Sequence, residues 1–133
     1  VLVVDGHTHH DGVISHKRPG ASTGFWEVNT ASHVDWPQQS RLIDVMDDGS
    51  GTLSIFGTIL DTAAPITPPK AGTSAATMTD AQLASVSRVL AANDPQTIEV
   101  TSGGGAGTKR DRNVELIVKD PRLLAKKKPA FTG

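Results

Sequence analysis

Three histidines cluster near the start of the chain, at His7, His9 and His10, directly after an apolar run that ends at Asp5-Gly6. An imidazole can bind a divalent metal ion, transfer a proton or contact a phosphate group. In extended backbone, side chains two residues apart point to the same side, so His7 and His9 would converge on a cation or a pair of cations. A metal takes about four to six ligands, so other residues, with carboxylates the usual partners, have to complete such a site.

A second polar loop carries two further candidates, Asn29 and His33, after the strand predicted at Phe25–Asn29. If this strand lies beside the strand that precedes the histidines, the two loops meet at one edge of a sheet. Asn29 and His10 would then contact substrate, and His33 would act as a catalytic residue by contacting its phosphate or protonating a leaving group. The alternatives are that Asn29 forms a turn, that Trp36 packs a corner and that His10 is an exposed loop residue.

Apolar periodicity places both loops among strands. Val1–Val4 is a short branched run, which predicts a fully buried strand. In the strand Phe25–Asn29, Trp26 and Phe25 are predicted to be core residues on opposite faces of the sheet. The other predicted strands are Val13-Ile14, a hairpin of Arg41–Met46 and Thr52–Leu60 joined by Asp47–Gly51, and Asn113–Val118.

The sequence predicts one clear helix, over Met78–Asn93. Thr79 and Gln82 have the spacing of a capping box, and Asn93-Asp94-Pro95 ends the helix. Its apolar residues at helical spacing form one stripe, which in a surface helix faces the core. The stripe residues are Leu83, Val86 and Leu90. Three segments are predicted to lack regular structure, namely Ala63–Ala76, Ser102–Gly107 and a frayed basic tail over 121–133 that contains Lys126–Lys128.

The composition limits the function classes. The chain has 133 residues, of which 37% are hydrophobic and 20% charged, with a net charge of -1 and no cysteine. The lack of cysteine excludes a disulfide scaffold, a thiolate zinc site and a thiol nucleophile. The charge balance gives no basic surface for nucleic acid, and no apolar run approaches the roughly 18 residues of a transmembrane helix.

The element order predicts an α+β fold with antiparallel or mixed strands and one clear helix. A buried strand at Val1, without a polar lead-in, leads us to expect that the chain is the C-terminal part of a longer protein. Residues 1–120 would then belong to a single domain whose preceding half lies outside this chain.

The segment from Asp5 to His9, placed after a strand, resembles motifs of two families. TIM-barrel amidohydrolases bind metal through a His-x-His pair after the first strand, and calcineurin-like metallophosphoesterases end their motif set with Gly-His-x-His. An amidohydrolase would continue with alternating strands and helices over about 250 residues. A predicted hairpin and one helix follow here instead, so the pattern favours the metallophosphoesterases, with an amidohydrolase fragment as the alternative.

A longer stretch makes the resemblance more specific. The sequence from Gly24 to Arg41, followed by that from Asp48 to Phe56, is similar to a bacterial metallophosphoesterase subfamily with long inserts. The sequence from Asp111 to Leu116 also resembles this subfamily. Many of its members carry a twin-arginine export signal, so the localisation stays open between export by that route and the cytoplasm.

The resemblance implies that the chain is the C-terminal part of a four-layer α/β/β/α sandwich. It implies hydrolysis of a phosphate ester by a metal-bridged water between two divalent ions (Mn, Fe or Zn), with His7 on one metal and His9 on the other. The remaining ligands of the family precede Gly-His-x-His and are not in this chain. The parent protein would therefore be an enzyme, and the isolated chain is expected to be inactive without the preceding half of the domain.

An interpretation from a different function class is a non-catalytic, β-rich binding module, for example of immunoglobulin type, with an incidental histidine cluster. It predicts stable independent folding and no metal affinity. The phosphoesterase interpretation predicts metal affinity that depends on His7 and His9.

Overall fold

The predicted strands and the helix are present and form a small α+β domain with two three-stranded sheets. The computed structural model describes residues 1–17, 19–20, 23–94 and 104–125. Within these residues the strands are β1 (Leu2–Asp5), β2 (Gly12–Lys17), β3 (Gly24–Asn29), β4 (Gln39–Asp47), β5 (Thr52–Asp61) and β6 (Val114–Lys119). The helices are α1 (Asp80–Ala92) and the short α2 (Pro121–Ala125), and 3₁₀ turns cover Ala75–Thr77, Gly104–Ala106 and Lys109–Asp111.

The first sheet has the strand order β1-β3-β2. β1 and β3 run parallel, with Leu2 opposite Trp26 and Asp5 opposite Asn29. β2 is antiparallel to β3, with Gly12 opposite Asn29. Because parallel strands end at the same edge of a sheet, the loop with the histidines and the loop after Asn29 leave the sheet side by side. The condition under which the two loops were expected to meet is therefore fulfilled.

The second sheet has the order β4-β5-β6 and is antiparallel throughout. The predicted hairpin joins β4 to β5 through a turn in which the Asp47 carboxylate accepts a hydrogen bond from the Gly49 N–H at 2.9 Å. Gly49 and Gly51 have φ of 76° and 93°, a region that glycine adopts without a Cβ clash. The turn residues therefore set the register of the sheet.

The core lies between the two sheets. Its buried centre consists of Val28 from β3, Ile55 from β5 and Leu116 from β6. Partly buried residues from both sheets pack against this centre, namely Leu2, Val13, Trp26, Ile43, Val114 and Val118. Each sheet thus presents one face to the other, as the two-residue period of strands requires.

Two core predictions are wrong. Val3 and Val4 are 45% and 53% exposed, because β1 is the edge strand of its sheet and contributes Leu2 to the core cluster. Phe25 is 39% exposed, whereas Trp26, on the opposite face of β3, packs against the core. The prediction assumed that both faces of this sheet are covered, and within the described residues the outer face at Phe25 is not.

Helix α1 has the predicted capping box, in which the Thr79 side chain accepts from the Gln82 N–H and the Gln82 side chain accepts from the Thr79 N–H. Of the predicted stripe, Leu83 and Leu90 are 41% and 67% exposed, and Val86 is half-buried. The buried positions of the helix include Ser85, whose hydroxyl lies 2.7 Å from the carbonyl oxygens of both Pro65 and Thr67. The hydrogen bonds of Ser85 therefore attach the helix to the segment that precedes it.

Two segments expected to be irregular are structured in part. The tail was predicted to be frayed from residue 121, but Pro121–Ala125 forms α2. Of the segment Ser102–Gly107, Gly104–Ala106 forms a 3₁₀ turn. Ser102, Gly103 and the tail from residue 126, with Lys126–Lys128, lie outside the described residues.

Candidate functional site

His7 and His9 lie in a tight loop after β1 and not in extended backbone. Their φ angles are 72° and 55°, in the left-handed region that residues other than glycine seldom adopt. The Thr8 N–H donates to the Gly6 carbonyl at 2.9 Å, which closes the turn. The two-residue alternation that predicted His7 and His9 on one side therefore does not apply, and the structure corrects that part of the argument.

His9 is oriented by a carboxylate from the neighbouring loop, because its Nδ1 contacts the Asp35 Oδ2. A carboxylate at Nδ1 favours the tautomer with the proton on that nitrogen, which leaves the lone pair of Nε2 free. Metal-binding histidines are commonly held in this way through their second nitrogen. The sequence analysis assigned Asp35 no role, and the structure makes it the direct partner of a candidate metal ligand.

The ligand set for a metal is incomplete in the part of the chain that the structure describes. No group of three or more histidine, aspartate or glutamate side chains there is arranged to hold a metal ion. His7 is exposed, and the Asp35 carboxylate is already engaged by His9. The described residues therefore offer two imidazoles to a cation but not a closed coordination shell.

Asn29 and His33 belong to the same loop but have different surroundings. Asn29 ends β3 opposite Asp5, and its Oδ1 is buried without a hydrogen-bond partner among the described atoms. His33 is exposed, and its Nε2 lies 2.6 Å from the Ser40 Oγ at the start of β4. Among the described residues, no hydrogen bond joins His33 to the histidine loop.

His10 lies close to the turn at residues 108–111, and its Nδ1 is buried without a partner among the described atoms. Burial raises the pKa of the Asp111 carboxyl in this turn. Hydrogen bonds from Thr108 and from the Val13 N–H, together with a favourable electrostatic interaction with His10, lower this pKa by more than burial raises it. The net result is a pKa of Asp111 below its usual value of 3.8. The surroundings of His10 are therefore those of a structural turn.

Sequence reasoning missed Asp11, which is fully buried directly after His10. Its Oδ1 accepts a hydrogen bond from the Ala31 N–H at 3.0 Å, and its own N–H donates to the Gly105 carbonyl at 2.6 Å. Asp11 therefore connects the histidine loop to the loop after β3. The sequence carried no signal for this role, because an aspartate followed by glycine is typical of exposed turns.

Gly105 lies between the two loops of the candidate site. A Cβ at this position would lie 2.2 Å from the His9 carbonyl oxygen and 3.1 Å from that of Trp36. The Gly105 N–H also donates to the Trp36 carbonyl at 3.3 Å. Glycine is required here because the three backbones approach so closely, and the segment that was predicted to be flexible holds both loops in place.

Trp36 packs at a corner, in agreement with the alternative considered for it. The Arg88 guanidinium carbon lies 4.5 Å from the centre of the Trp36 ring, and the Arg88 Nη1 donates to the Pro37 carbonyl at 2.6 Å. The Gln38 side chain donates to the Ser87 hydroxyl at 2.8 Å. Helix α1 thereby supports the loop that presents Asp35.

Comparisons with protein-family models, with curated proteins and with solved structures find no match. In the described part of the chain, no helix is long and apolar enough to cross a membrane.

Proposed function

We propose that this chain carries the histidine loop of a phosphoesterase that hydrolyses phosphate esters with two divalent metal ions. His7 would bind one metal and His9 the other. The chain would form the C-terminal part of a four-layer α/β/β/α sandwich, with its two sheets as the inner layers. The parent protein would be a metal-dependent hydrolase of phosphate esters.

The observation that carries the proposal is the contact between the His9 Nδ1 and the Asp35 carboxylate. It lies at the edge where the parallel strands β1 and β3 end, which is where ligands bind in open sheets of this kind. An imidazole held in this way has a fixed ring and a free Nε2, so it is prepared to bind a metal. An exposed surface histidine has no such requirement for a carboxylate partner.

The donor chemistry fits a divalent transition metal, because imidazole nitrogen suits manganese, iron and zinc. When bound, such ions neutralise phosphate charge and lower the pKa of water. Because the described residues contain no group of three or more ligands, the other ligands would come from polypeptide outside them. This agrees with the order of motifs that the resemblance implies.

The residues of this chain would orient the metal ligands and the substrate. Asp35 holds the His9 ring, and Asn29 lies at the same sheet edge, where its amide would donate to a substrate phosphate. His33 is exposed and would pass a proton to the leaving group, with its ring oriented by Ser40. The His10 Nδ1 is buried and His10 interacts electrostatically with Asp111, so we leave it out of the proposed substrate contacts.

The test is calorimetric binding of Zn²⁺ and Mn²⁺ to the 133-residue chain beside a His7→Ala/His9→Ala variant. A His16→Ala/His33→Ala variant removes the same number of imidazoles and serves as the matched control. Each protein is also assayed with p-nitrophenyl phosphate and with its bis-ester. We expect binding by the wild type and the control, loss of binding in the His7/His9 variant, and no turnover by any of them.

Equal metal binding by all three proteins, or none by the wild type, contradicts the proposed role of His7 and His9. Turnover by the wild-type chain contradicts the need for ligands from outside it. Either result is interpretable only if the variants keep the circular dichroism spectrum of the wild type.

A non-catalytic binding module is the second candidate, and a specific observation favours it. The two sheets bury a shared core within this chain, as a module that folds independently would. This candidate predicts no metal affinity and so is separated from the first by the same calorimetry. An amidohydrolase fragment is not favoured, because β4, β5 and β6 are antiparallel, whereas the strands of that barrel are parallel.

A further inference from the structure

A groove of about 630 Å³ opens at the sheet edge opposite the histidine loop. It lies where β2 and β6 end and β3 begins. The residues that give it its chemistry are His16, Lys17, Phe25, Trp26, Ile117 and Lys119. Its volume falls within the range of roughly 300–1,000 Å³ that is typical of small-molecule sites.

Aromatic rings line the groove on both faces of β3, with His16 and Phe25 on the outer face and Trp26 on the face toward the core, and neighbouring groups hold them in place. The His16 and Phe25 rings are stacked, with centroids 4.5 Å apart and an angle of 13° between their planes. The His16 Nε2 lies 2.7 Å from the Glu27 Oε2, and the Trp26 Nε1 donates to the Ile117 carbonyl at 3.3 Å. The groove therefore contains flat, immobilised apolar surfaces, which favour stacking with a planar ring.

The charge of the groove is positive. Lys17 and Lys119 are both exposed, and no ion pair with either is present among the described residues. None of the residues that line the groove is acidic. Two ammonium groups with no ion-pair partner among the described residues attract an anion.

We propose that this groove binds a small anion that carries a planar ring, with the ring against Phe25 and the anionic group between Lys17 and Lys119. The aromatic ring supplies apolar contact, and the two lysines supply selectivity for the anionic group. The proposal goes beyond the phosphoesterase function and does not depend on it, because the groove and the histidine loop share no residue.

The first experiment uses 2-naphthalenesulfonate as the probe, with EDTA present so that the histidine loop holds no metal. The chain has two tryptophans, and each gives one indole N–H signal in a ¹H–¹⁵N spectrum. Trp26 lies in the groove, and Trp36 lies at the other edge beneath Arg88. We expect the probe to shift the Trp26 signal and to leave the Trp36 signal in place, with Trp36→Phe assigning the two signals.

The second experiment tests the charge. Lys17→Gln/Lys119→Gln is expected to raise the Kd for the sulfonate about five- to tenfold, the size expected from two partly exposed charge contacts. Lys70→Gln/Lys109→Gln removes the same charge at exposed positions outside the groove and is expected to leave the Kd unchanged. The neutral analogue 2-naphthalenemethanol is expected to bind both variants as it binds the wild type.

The third experiment tests the ring. Phe25→Leu keeps an apolar side chain but removes the planar surface, so we expect weaker binding of both the sulfonate and the alcohol. The proposal is overturned if the Trp26 signal does not move, or if both indole signals move together. It is equally overturned if the Lys70/Lys109 variant loses as much affinity as the Lys17/Lys119 variant.

Discussion

Asp11 and Arg41 form an ion pair that is shielded from water, with side chains 0% and 1% exposed and 3.2 Å between Oδ1 and Nη2. The Arg41 guanidinium also donates to the carbonyl oxygens of Asp111 at 2.5 Å and Arg112 at 2.9 Å. Charged groups that are buried lose their interactions with water. Such a pair is therefore stable only where other polar groups of the protein replace those interactions. The pair joins the start of β2 to β4 and thereby links the two sheets beside the candidate site.

The first prediction concerns this pair. Asp11→Ala leaves the Arg41 guanidinium buried without its counter-charge, and we expect the free energy of unfolding to fall by about 3–5 kcal/mol. Urea unfolding followed by tryptophan fluorescence measures this loss. Asp44→Ala, at an exposed position on the same strand as Arg41, is the matched control and is expected to change stability by less than about 0.5 kcal/mol. Equal stability of the two variants contradicts the prediction.

Much of the fold could be predicted because its signals are local. The two-residue alternation in Thr52–Asp61 and the turn at Asp47–Gly51 fix the hairpin, and the capping box at Thr79 fixes the start of the helix. What could not be predicted is which faces are covered. Phe25 and Leu90 are exposed, because burial depends on neighbours that are distant in sequence.

The candidate site could be predicted only in part. The two loops were expected to meet only if the strand before His7 lay beside β3, and the structure shows that it does. The partners of the histidines were not found, because Asp35 is 26 positions from His9 and Gly105 is farther still. A glycine-rich segment is typical of a flexible loop, and only the structure shows that Gly105 separates two carbonyl groups.

The second prediction concerns Gly105. Gly105→Ala places a methyl group 2.2 Å from the His9 carbonyl oxygen, so the backbone of one loop has to move. We expect a loss of stability of about 1–3 kcal/mol and shifts in the ¹H–¹⁵N signals of the histidine loop. Gly12→Ala is the matched control, since its Cβ would meet the Asn29 Cβ at an ordinary 3.8 Å. A stable Gly105→Ala variant with an unchanged spectrum contradicts this account.

The third prediction concerns the partner of His9. Asp35→Asn removes the carboxylate charge at Nδ1, so the ring of His9 is less firmly oriented. We expect the affinity for Zn²⁺ to fall about 10-fold or more, measured by competition with a chromophoric chelator. His33→Gln is the control and is expected to keep the wild-type affinity for Zn²⁺, because the His33 ring forms a hydrogen bond with Ser40 and is not a proposed metal ligand. An Asp35→Asn variant with wild-type affinity means that Asp35 does not position a ligand.

The fourth prediction is a pH dependence that arises from Asp111. The pKa of its carboxyl is lowered in the folded chain, although burial acts in the opposite direction, because the Thr108 side chain and backbone and the Val13 N–H donate to the carboxylate. A group with a lowered folded pKa stabilises the fold fully above its unfolded value, here about 3.8. That stabilisation is lost as the pH falls below this value and through the folded pKa.

Asp111→Asn should therefore be less stable than the wild type at pH 7, and this difference should shrink as the pH falls from about 4 toward 2. Urea unfolding at a series of pH values measures the difference directly. Thr108→Val removes the hydroxyl donor and should reproduce part of the effect, whereas Asp44→Asn changes the charge equally at an exposed position and should show no such difference. If the difference in unfolding free energy between the wild type and Asp111→Asn stays constant down to pH 2, protonation of the Asp111 carboxylate has no effect on stability. The charge of this carboxylate then does not stabilise the turn.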